Sequence, residues 1–387
     1  MGSAMAAEAN HIGVWYFTLW NSSAHSIQVT QSQRIYGRAD PWGGVRDYAE
    51  GHGTAPFIDP ALQRPIDFAN RRPLLGFYDL MDPNVISKEI EEAASEGIEF
   101  FALYWFFNAK TGEEEDVSAP TALFFSNPER AKIKLLLAPI ALNDTGDKNV
   151  TLSAWEQKTV PRLVKYMASD AYYRVDGRPL MIDFGVNFEQ PNEEVAAYAS
   201  LRQAAKTALG VDPMIVRMLP AAAKYGDMDY FRKVVRPDGF ACFANRITAS
   251  PEPYASYIAD WVPEMTANIT PSGQSTIAPS MFIPCGSIGL DPRPWYGIEG
   301  GVEIGPNSMP FTSGTTPALF RQHLEALKGF IEVHRRLTKG LAILYAWNEW
   351  GEAAADIEPS AVDGYAYADV VRQVFGLRPR GPRPKPN

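Results

Sequence analysis

Short apolar runs that alternate with amphipathic stretches constrain the fold of this chain more than any other feature. The runs are rich in aromatic and β-branched residues, as buried strands are, and several of the segments between them have helical periodicity. Such alternation predicts βα units and a parallel sheet, because parallel strands need long crossover connections. The nine candidate strands are residues 12–18, 74–78, 100–105, 133–138, 180–184, 214–218, 239–243, 276–283 and 341–347.

Nine candidates are one more than an eight-stranded barrel needs, and we expect the run 74–78 to be peripheral or merged with a neighbour. The chain has 387 residues, which could hold two domains, but no internal repeat or shift in composition marks a boundary. The sequence therefore predicts the α/β class and a single-domain (β/α)₈ TIM barrel over residues 10–377, with long loops at the C-terminal strand ends. A short start (1–9) and a tail rich in proline and arginine (378–387) flank it.

Helix start and stop signals support this prediction. Asp82 and Pro83 open a helix with Ile86 and Ile90 on one face, and Gly97 ends it before the next strand. We expect similar helices over residues 192–208 and 318–337.

The charge of the chain argues against nucleic acid as a partner. There are 36 basic and 45 acidic residues, giving a formal charge of −9, and nucleic acid affinity depends on a basic surface. The basic residues cluster only within 378–383, which we expect to be disordered and solvated. The longest apolar runs are too short to span a bilayer, so no membrane span is expected.

No metal or cofactor is expected from the motifs. The five histidines are scattered, Gly-rich phosphate loops are absent, and Cys242 and Cys285 have no paired spacing, so we expect them to be buried structural thiols. Residues 1–9 have none of the regions of a secretory signal and resemble a cloning remnant before a disordered start. A signal removed before them would favour a secreted or periplasmic protein; otherwise we expect a cytoplasmic one.

Two carboxylates follow the last candidate strand directly. Glu349 and Glu352 lie at the end of a barrel where active sites are built, and glycoside cleavage needs one carboxylic acid and one carboxylate. Most such pairs are solvated loop residues. This pair is set apart by the buried strand before it, by Trp347, Asn348 and Trp350 around it, and by Glu358 after it.

The motif Asn348-Glu349-Trp350-x-Glu352 followed by Ile357-Glu358-Pro359 resembles the glycoside hydrolase family 99 endo-α-mannosidases and related barrel domains of bacterial polysaccharide-biosynthesis proteins. Residues 12–17, 75–79, 97–105 and 173–180 resemble further blocks of that family. The chain differs from the family pattern at Ala353, where the family usually has glycine, and in the residues 140–144.

This resemblance implies an endo-acting, retaining hydrolase of an α-mannoside or related polysaccharide. The 2-hydroxyl of the substrate would attack the anomeric carbon, with Glu349 as the base and Glu352 as the acid. From the residues alone an inverting pair stays open. Two other functions stay open as well: a noncatalytic or biosynthetic glycan-binding barrel, and an α-1,3-glucanase-like hydrolase.

Other side chains near the strand ends are candidates for substrate contacts. Aromatic rings can stack on sugars, although core packing is an alternative, and polar groups can bind hydroxyls, although capping or a turn is an alternative. We expect Asp183 to point into the barrel mouth, because an unpartnered buried carboxylate is costly. The candidates are Trp20, Tyr78, Tyr104, Trp105, Asn143, Asp183, Arg217, Asn245, Trp295, Trp347, Asn348 and Trp350.

Overall fold

A computed structural model describes residues 9–23, 40–51, 58–59, 64–65, 67–142, 149–190, 192–219, 231–244, 247, 251–269, 281–294 and 310–384. Its central feature is a parallel barrel with eight strands. These are β1 His11–Tyr16, β2 Phe100–Asn108, β3 Lys134–Leu142, β4 Arg178–Asp183, β5 Met214–Met218, β6 Gly239–Ala241, β7 in two halves at Phe282–Ile283 and Cys285–Ser287, and β8 Leu341–Tyr345.

The seventh strand closes the barrel although Pro284 divides it. Its first half pairs with β6 and its second half pairs with β8, and β8 pairs in turn with β1. Proline has no N–H to donate to a strand ladder, which explains the break. The nine parallel segments are therefore eight strands, which confirms the predicted (β/α)₈ fold. Residues 74–78, the surplus candidate, form turns and bends.

Helices cover the outside of the barrel. The predicted helix after Asp82 is confirmed: the Asp82 carboxylate accepts the Asn84 N–H, and Pro83 occupies the first turn. The predicted helix 318–337 divides at His334, whose backbone is not helical. The helices are α1 Gly43–Ala49, α2 Pro83–Ser95, α3 Pro120–Ser126, α4 Leu152–Ala154, α5 Val160–Met167, α6 Glu193–Leu209, α7 Tyr254–Ala259, α8 Trp261–Ile269, α9 Pro317–Val333, α10 Arg335–Thr338 and α11 Ala366–Phe375.

Short elements complete the fold. Among the helices that the structure describes, none combines the length and the apolar character needed to cross a membrane. Single turns of 3₁₀ helix lie at Ala69–Arg71, Asp116–Ser118 and Pro128–Lys132, and π-helical turns at Trp155–Thr159 and Phe231–Val235. Two-residue strands pair as Ile58–Asp59 with Arg64–Pro65, Asn149–Val150 with Asn187–Phe188, and Glu252–Pro253 with Thr312–Ser313, while Arg174–Val175 pairs with β4.

The expectation of two buried thiols is wrong. Cys242 and Cys285 form a disulfide with a Cα–Cα distance of 5.4 Å. They are 43 residues apart in the sequence, and only the adjacency of β6 and β7 brings them together. The disulfide therefore links the two strands beside the break at Pro284.

The start of the basic tail packs on the barrel instead of extending into solvent. Arg380 donates hydrogen bonds to the carbonyl oxygens of Lys132 and Gly97. Arg383 pairs with the buried carboxylate of Glu96 at 2.7 Å. The composition of the tail predicted a solvated segment. The partners of these two arginines lie elsewhere in the chain, and only the fold brings them close.

Candidate active site

The segment after β8, residues 347–352, carries both candidate carboxylates and is called the acid/base loop below. It starts with a continuation of the sheet, since the Trp347 N–H donates to the Trp15 carbonyl at 2.8 Å. It then turns: the N–H groups of Glu352 and Ala353 donate to the Glu349 carbonyl at 2.9 and 2.8 Å. In a helical turn, side chains three residues apart lie on the same side. The turn thus places Glu349 and Glu352 together at the barrel mouth.

Asn348 fixes the acid/base loop to the end of β1. Its Oδ1 accepts the Phe17 N–H at 2.7 Å and its Nδ2 donates to the Phe17 carbonyl at 3.0 Å. The Trp20 indole donates to the Asn348 carbonyl at 2.8 Å, and its ring stacks on Trp42 at 4.0 Å. Asn348 and Trp20 are completely buried. These two residues, predicted to contact substrate, support the loop from below.

The two carboxylates differ in their surroundings. Glu349 is buried, and burial raises its pKa well above the usual value; the charges of Glu352 and Asp356 add to the rise, while the Tyr104 hydroxyl opposes it. Glu352 is partly exposed, and its Oε2 lies 3.4 Å from the Tyr345 hydroxyl, which donates to it. Two neighbouring carboxyl groups in such different surroundings differ in how readily each releases its proton.

Aromatic rings inside the barrel lie beneath this pair. The ring centroids are 5.5 Å apart for Trp15 and Tyr104, 5.3 Å for Tyr104 and Phe184, 5.1 Å for Phe184 and Phe243, and 4.6 Å for Phe243 and Tyr345. The buried hydroxyl of Tyr104 lies near Glu349 but makes no hydrogen bond of good geometry among the described residues. These five rings form an apolar layer that is called the aromatic floor below.

Alternation along β2 separates two of the predicted aromatic contacts. Tyr104 faces the interior, where Phe106 is a neighbour on the same side at 6.4 Å. Trp105 faces outward, stacks on Phe107 at 5.6 Å and donates its indole N–H to Glu114 at 2.9 Å. Side chains two residues apart on a strand share a face. This signal was present in the sequence and would have distinguished Tyr104 from Trp105.

Two other predicted aromatic residues lie behind the acid/base loop. The Trp347 indole donates to Glu89 Oε2 at 2.7 Å, and the Trp350 indole donates to Glu358 Oε2 at 2.9 Å. The Tyr78 hydroxyl donates to the same Glu358 oxygen at 2.9 Å. These contacts connect the loop to the core side of the barrel wall, and sequence reasoning did not identify Glu89 as part of the arrangement.

A group of three carboxylates, Glu89, Glu92 and Glu358, is called the three-glutamate cluster below. One oxygen from each lies within 4.8 Å of the others, and all three residues are buried. It is the one group among the described residues that could hold a metal ion. Hard divalent cations prefer oxygen ligands, although Ca²⁺ takes six to eight of them.

The expectation that Asp183 points into the barrel mouth is wrong. Its carboxylate accepts the Val186 N–H at 2.8 Å, the Tyr198 hydroxyl at 2.6 Å and Arg217 Nη1 at 2.6 Å. Arg217 also donates to Glu194 at 2.7 Å. Tyr198 and Glu194 belong to α6, so this network lies outside the barrel, where donors on three elements satisfy the buried charge.

Three predicted site residues lie outside the described residues: Asn143, Asn245 and Trp295.

Solved structures similar to this one include glycoside hydrolases. A glycoside hydrolase-like protein has a TM-score of 0.58 and 15% sequence identity, with 97% of each chain covered. The GH99 endo-α-mannosidase from Bacteroides thetaiotaomicron has a TM-score of 0.54 and 15% identity, covering 95% of this chain and 96% of that chain. A second structure of that enzyme, in complex with bis-tris-propane, has a TM-score of 0.52 and 15% identity, covering 94% and 95%.

Comparison of the sequence with protein-family models and with curated proteins gives no match. The structural likeness covers nearly the whole of each chain. The chain thus has a (β/α)₈ barrel of the class found in glycoside hydrolases. More particularly, its barrel is similar to that of the family 99 endo-α-mannosidase, which confirms the fold that the motif resemblance implied.

Proposed function

We propose that this protein is a glycoside hydrolase whose acid/base pair is Glu349 and Glu352. The observation that carries the proposal is one turn at the barrel mouth that presents a buried carboxyl group with a raised pKa beside a partly exposed one. Perturbed carboxyl groups at the C-terminal end of a barrel are typical of catalytic sites. The aromatic floor beneath them provides an apolar surface for a sugar ring.

The proposed substrate is an α-mannoside or a related polysaccharide linkage, cleaved within the chain and with retention. The endo-α-mannosidase activity of the similar Bacteroides protein and the motif resemblance support this choice. The base takes the proton of the substrate 2-hydroxyl, whose oxygen bonds to the anomeric carbon while the bond to the leaving oxygen breaks. The acid gives its proton to that oxygen, and water then opens the 1,2-anhydro sugar.

The distribution of the proton within the pair is a separate question. The resemblance gives the base to Glu349 and the acid to Glu352, whereas burial favours a protonated Glu349 in the protein without substrate. Interacting carboxyl groups titrate as a unit, and the pair can exchange the proton when substrate binds. The leaving group of the substrate separates the roles. A substrate whose activated leaving group departs without protonation should recover turnover in the variant that lacks the acid and not in the variant that lacks the base.

The alternative is a glycan-binding barrel without catalysis, active in degradation or biosynthesis. A buried carboxyl group next to a second one destabilises the ionised form, and sugar binding alone does not require this arrangement. The pairing of buried Glu349 with a partly exposed Glu352 at the barrel mouth therefore favours hydrolysis. An α-1,3-glucanase-like enzyme would differ from the proposed one in its substrate only.

The disulfide bears on the compartment. Disulfides persist in oxidising environments and are rare in the cytosol, so the Cys242–Cys285 bond supports the proposal of a secreted or periplasmic protein. An oligo- or polysaccharide is the expected partner there.

Proton NMR of the anomeric signals during digestion of α-mannans, α-glucans and bacterial exopolysaccharides tests the proposal. A first product with retained configuration from an α-mannan is the expected result. An inverted first product would keep the hydrolase and exclude the 2-hydroxyl mechanism. Binding of a glycan that is never cleaved would favour the alternative.

A further inference from the structure

The three-glutamate cluster lies directly behind the acid/base loop. Glu89 and Glu92 are three residues apart on α2 and face the barrel wall, and Glu358 follows the loop in the chain. The exposed fractions of the three residues are 0%, 1% and 1%. Three ionised carboxylates at this spacing and burial would repel one another strongly.

Each member of the cluster keeps one oxygen unpaired. Glu89 Oε1, Glu92 Oε2 and Glu358 Oε1 are buried and have no hydrogen-bond partner within the described part of the chain. A buried acceptor without a partner is costly, whereas a protonated carboxyl group donates to the carboxylate beside it. Protons shared among the three groups would both reduce the charge and satisfy these oxygens.

The other oxygens of Glu89 and Glu358 bind the acid/base loop. The indoles of Trp347 and Trp350, at the start and in the middle of the loop, donate to Glu89 and Glu358 at 2.7 and 2.9 Å. Tyr16 on β1 donates to Glu89 at 3.3 Å as well. A change in the charge or position of the cluster therefore acts on the residues that hold Glu349 and Glu352.

We propose that the three-glutamate cluster is a proton-sharing positioning device that holds the acid/base loop in its active conformation. This inference rests on the proposed function of Glu349 and Glu352. The glutamates of the cluster are positioning residues, because they act through the two indoles and do not face the barrel mouth.

The charged groups around the cluster favour protons over a cation. Lys88 on α2 opposes the rise in the Glu92 pKa, and the Tyr365 hydroxyl donates to Glu92 at 3.4 Å. Arg372 and Arg383 pair with Glu96 at 3.1 and 2.7 Å, so their charges are directed there. The cluster offers three carboxylate oxygens within 4.8 Å, fewer ligands than a calcium site takes.

Burial determines the pH range in which the cluster loses its protons. It raises the pKa of Glu89 to about 7 and that of Glu92 to about 9, where the charge of Glu89 adds to the effect. Burial also raises the pKa of Glu358 well above its usual value, and the charges of Glu89 and Glu92 raise it further. The acid/base loop should lose its active position as the pH rises through this range.

The first test is the pH profile of Glu92→Gln. The described hydrogen bond of Glu92 comes from Tyr365 and not from the loop, and the glutamine amide mimics the protonated acid. We expect kcat at pH 6 within about two-fold of wild type, an unchanged KM, and loss of the part of the alkaline limb near pH 9 that comes from the ionisation of Glu92. Glu114→Gln is the matched control: Glu114 accepts an indole N–H from Trp105 at 2.9 Å, away from the loop. An alkaline limb that coincides in Glu92→Gln and wild type would overturn the proposal.

The second test needs no turnover and is read on the wild-type protein. Indole N–H signals of ¹⁵N-labelled wild type, assigned with Trp347→Phe and Trp350→Phe, report the two loop hydrogen bonds directly. We expect both signals to shift together between pH 7 and 9, the range set by Glu89 and Glu92. Signals constant from about pH 6 to 10, or a response to added Ca²⁺ that EDTA reverses, would overturn proton sharing.

The two tests separate this inference from the proposed function. If the two indole N–H signals shift together with pH but the protein cleaves no glycan, the proposed hydrolase is refuted and the positioning cluster is kept. Turnover with indole signals that do not titrate would refute the cluster and keep the hydrolase.

Discussion

Two groups of carboxylates lie on opposite sides of the acid/base loop, and they differ in what surrounds them. The front pair, Glu349 and Glu352, lies over phenols, and Glu352 is partly exposed at the barrel mouth. The three-glutamate cluster behind the loop is closed off by helix α2, and indoles and phenols donate to it. Burial raises the pKa of carboxyl groups on both sides.

A raised pKa by itself therefore identifies a buried carboxyl group, not a catalytic one. What distinguishes a catalytic carboxylate is an open side at which a ligand can arrive, whereas a closed carboxylate with protein donors serves positioning. Substitutions on the two sides of the loop test that distinction.

Replacing either front carboxylate should remove nearly all turnover. Glu349→Gln and Glu352→Gln keep the side-chain volume but cannot transfer a proton, and general acid/base catalysis contributes about 10²–10⁴-fold. Steady-state kinetics on the substrate found by NMR measure the loss, and circular dichroism should show an unchanged fold. Full activity in either variant would refute the acid/base assignment.

Asn348→Asp should weaken the attachment of the loop to β1. An ionised aspartate cannot donate to the Phe17 carbonyl, which Asn348 Nδ2 reaches at 3.0 Å, and a buried group left unpaired costs about 1–3 kcal/mol. We expect a lower free energy of unfolding in urea and a kcat reduced by about ten-fold with little change in KM. Wild-type kcat in a destabilised variant would mean that the loop does not need this attachment.

The cluster behind the loop should make stability fall as the pH rises. Folded Glu92 keeps its proton up to about pH 9, whereas in the unfolded chain the carboxyl group releases it near its ordinary pKa of 4.5. The contribution of Glu92 to the free energy of unfolding is fully present below the pKa of the unfolded chain. It decreases as the pH rises from that value to the pKa of the folded protein, with a slope of at most about 1.4 kcal/mol per pH unit. Urea unfolding at a series of pH values between these limits measures the slope, which should be flatter in Glu92→Gln. Equal slopes would contradict the raised pKa.

Glu114→Gln should have the smallest effect. Glu114 accepts the indole N–H of Trp105 and the Tyr166 hydroxyl, and the amide oxygen of glutamine can accept the same bonds. We expect a change in unfolding free energy within about 1 kcal/mol and turnover within about two-fold of wild type. A loss as large as in the front pair would mean that indole-bound glutamates matter wherever they lie in the barrel.

Local patterns predicted most of the fold. Asp82 and Pro83 predict the start of α2. The mainly apolar run Met214–Met218 predicts a buried strand, because parallel strands are apolar on both faces. The candidate pair was found in the same way, from a buried strand that runs directly into two carboxylates.

The features that the sequence did not predict depend on contacts between residues that are far apart in the chain. Asp183 is satisfied by Tyr198 and Arg217, which lie 15 and 34 residues away, and no local pattern marks them as donors. Glu89 reads as one more acid on an amphipathic helix until Trp347, 258 residues later, packs against it. The positioning side of the site therefore became visible only in three dimensions.

Because Cys242 and Cys285 can be cross-linked or reduced, a preparation of this protein is chemically uniform only when its disulfide state is known. Thiols stay reduced in a typical bacterial cytosol, so material produced there and material exported to an oxidising compartment would be two chemically different molecules with the same sequence. Titration of free thiols in unfolded protein should precede any comparison of rates between preparations.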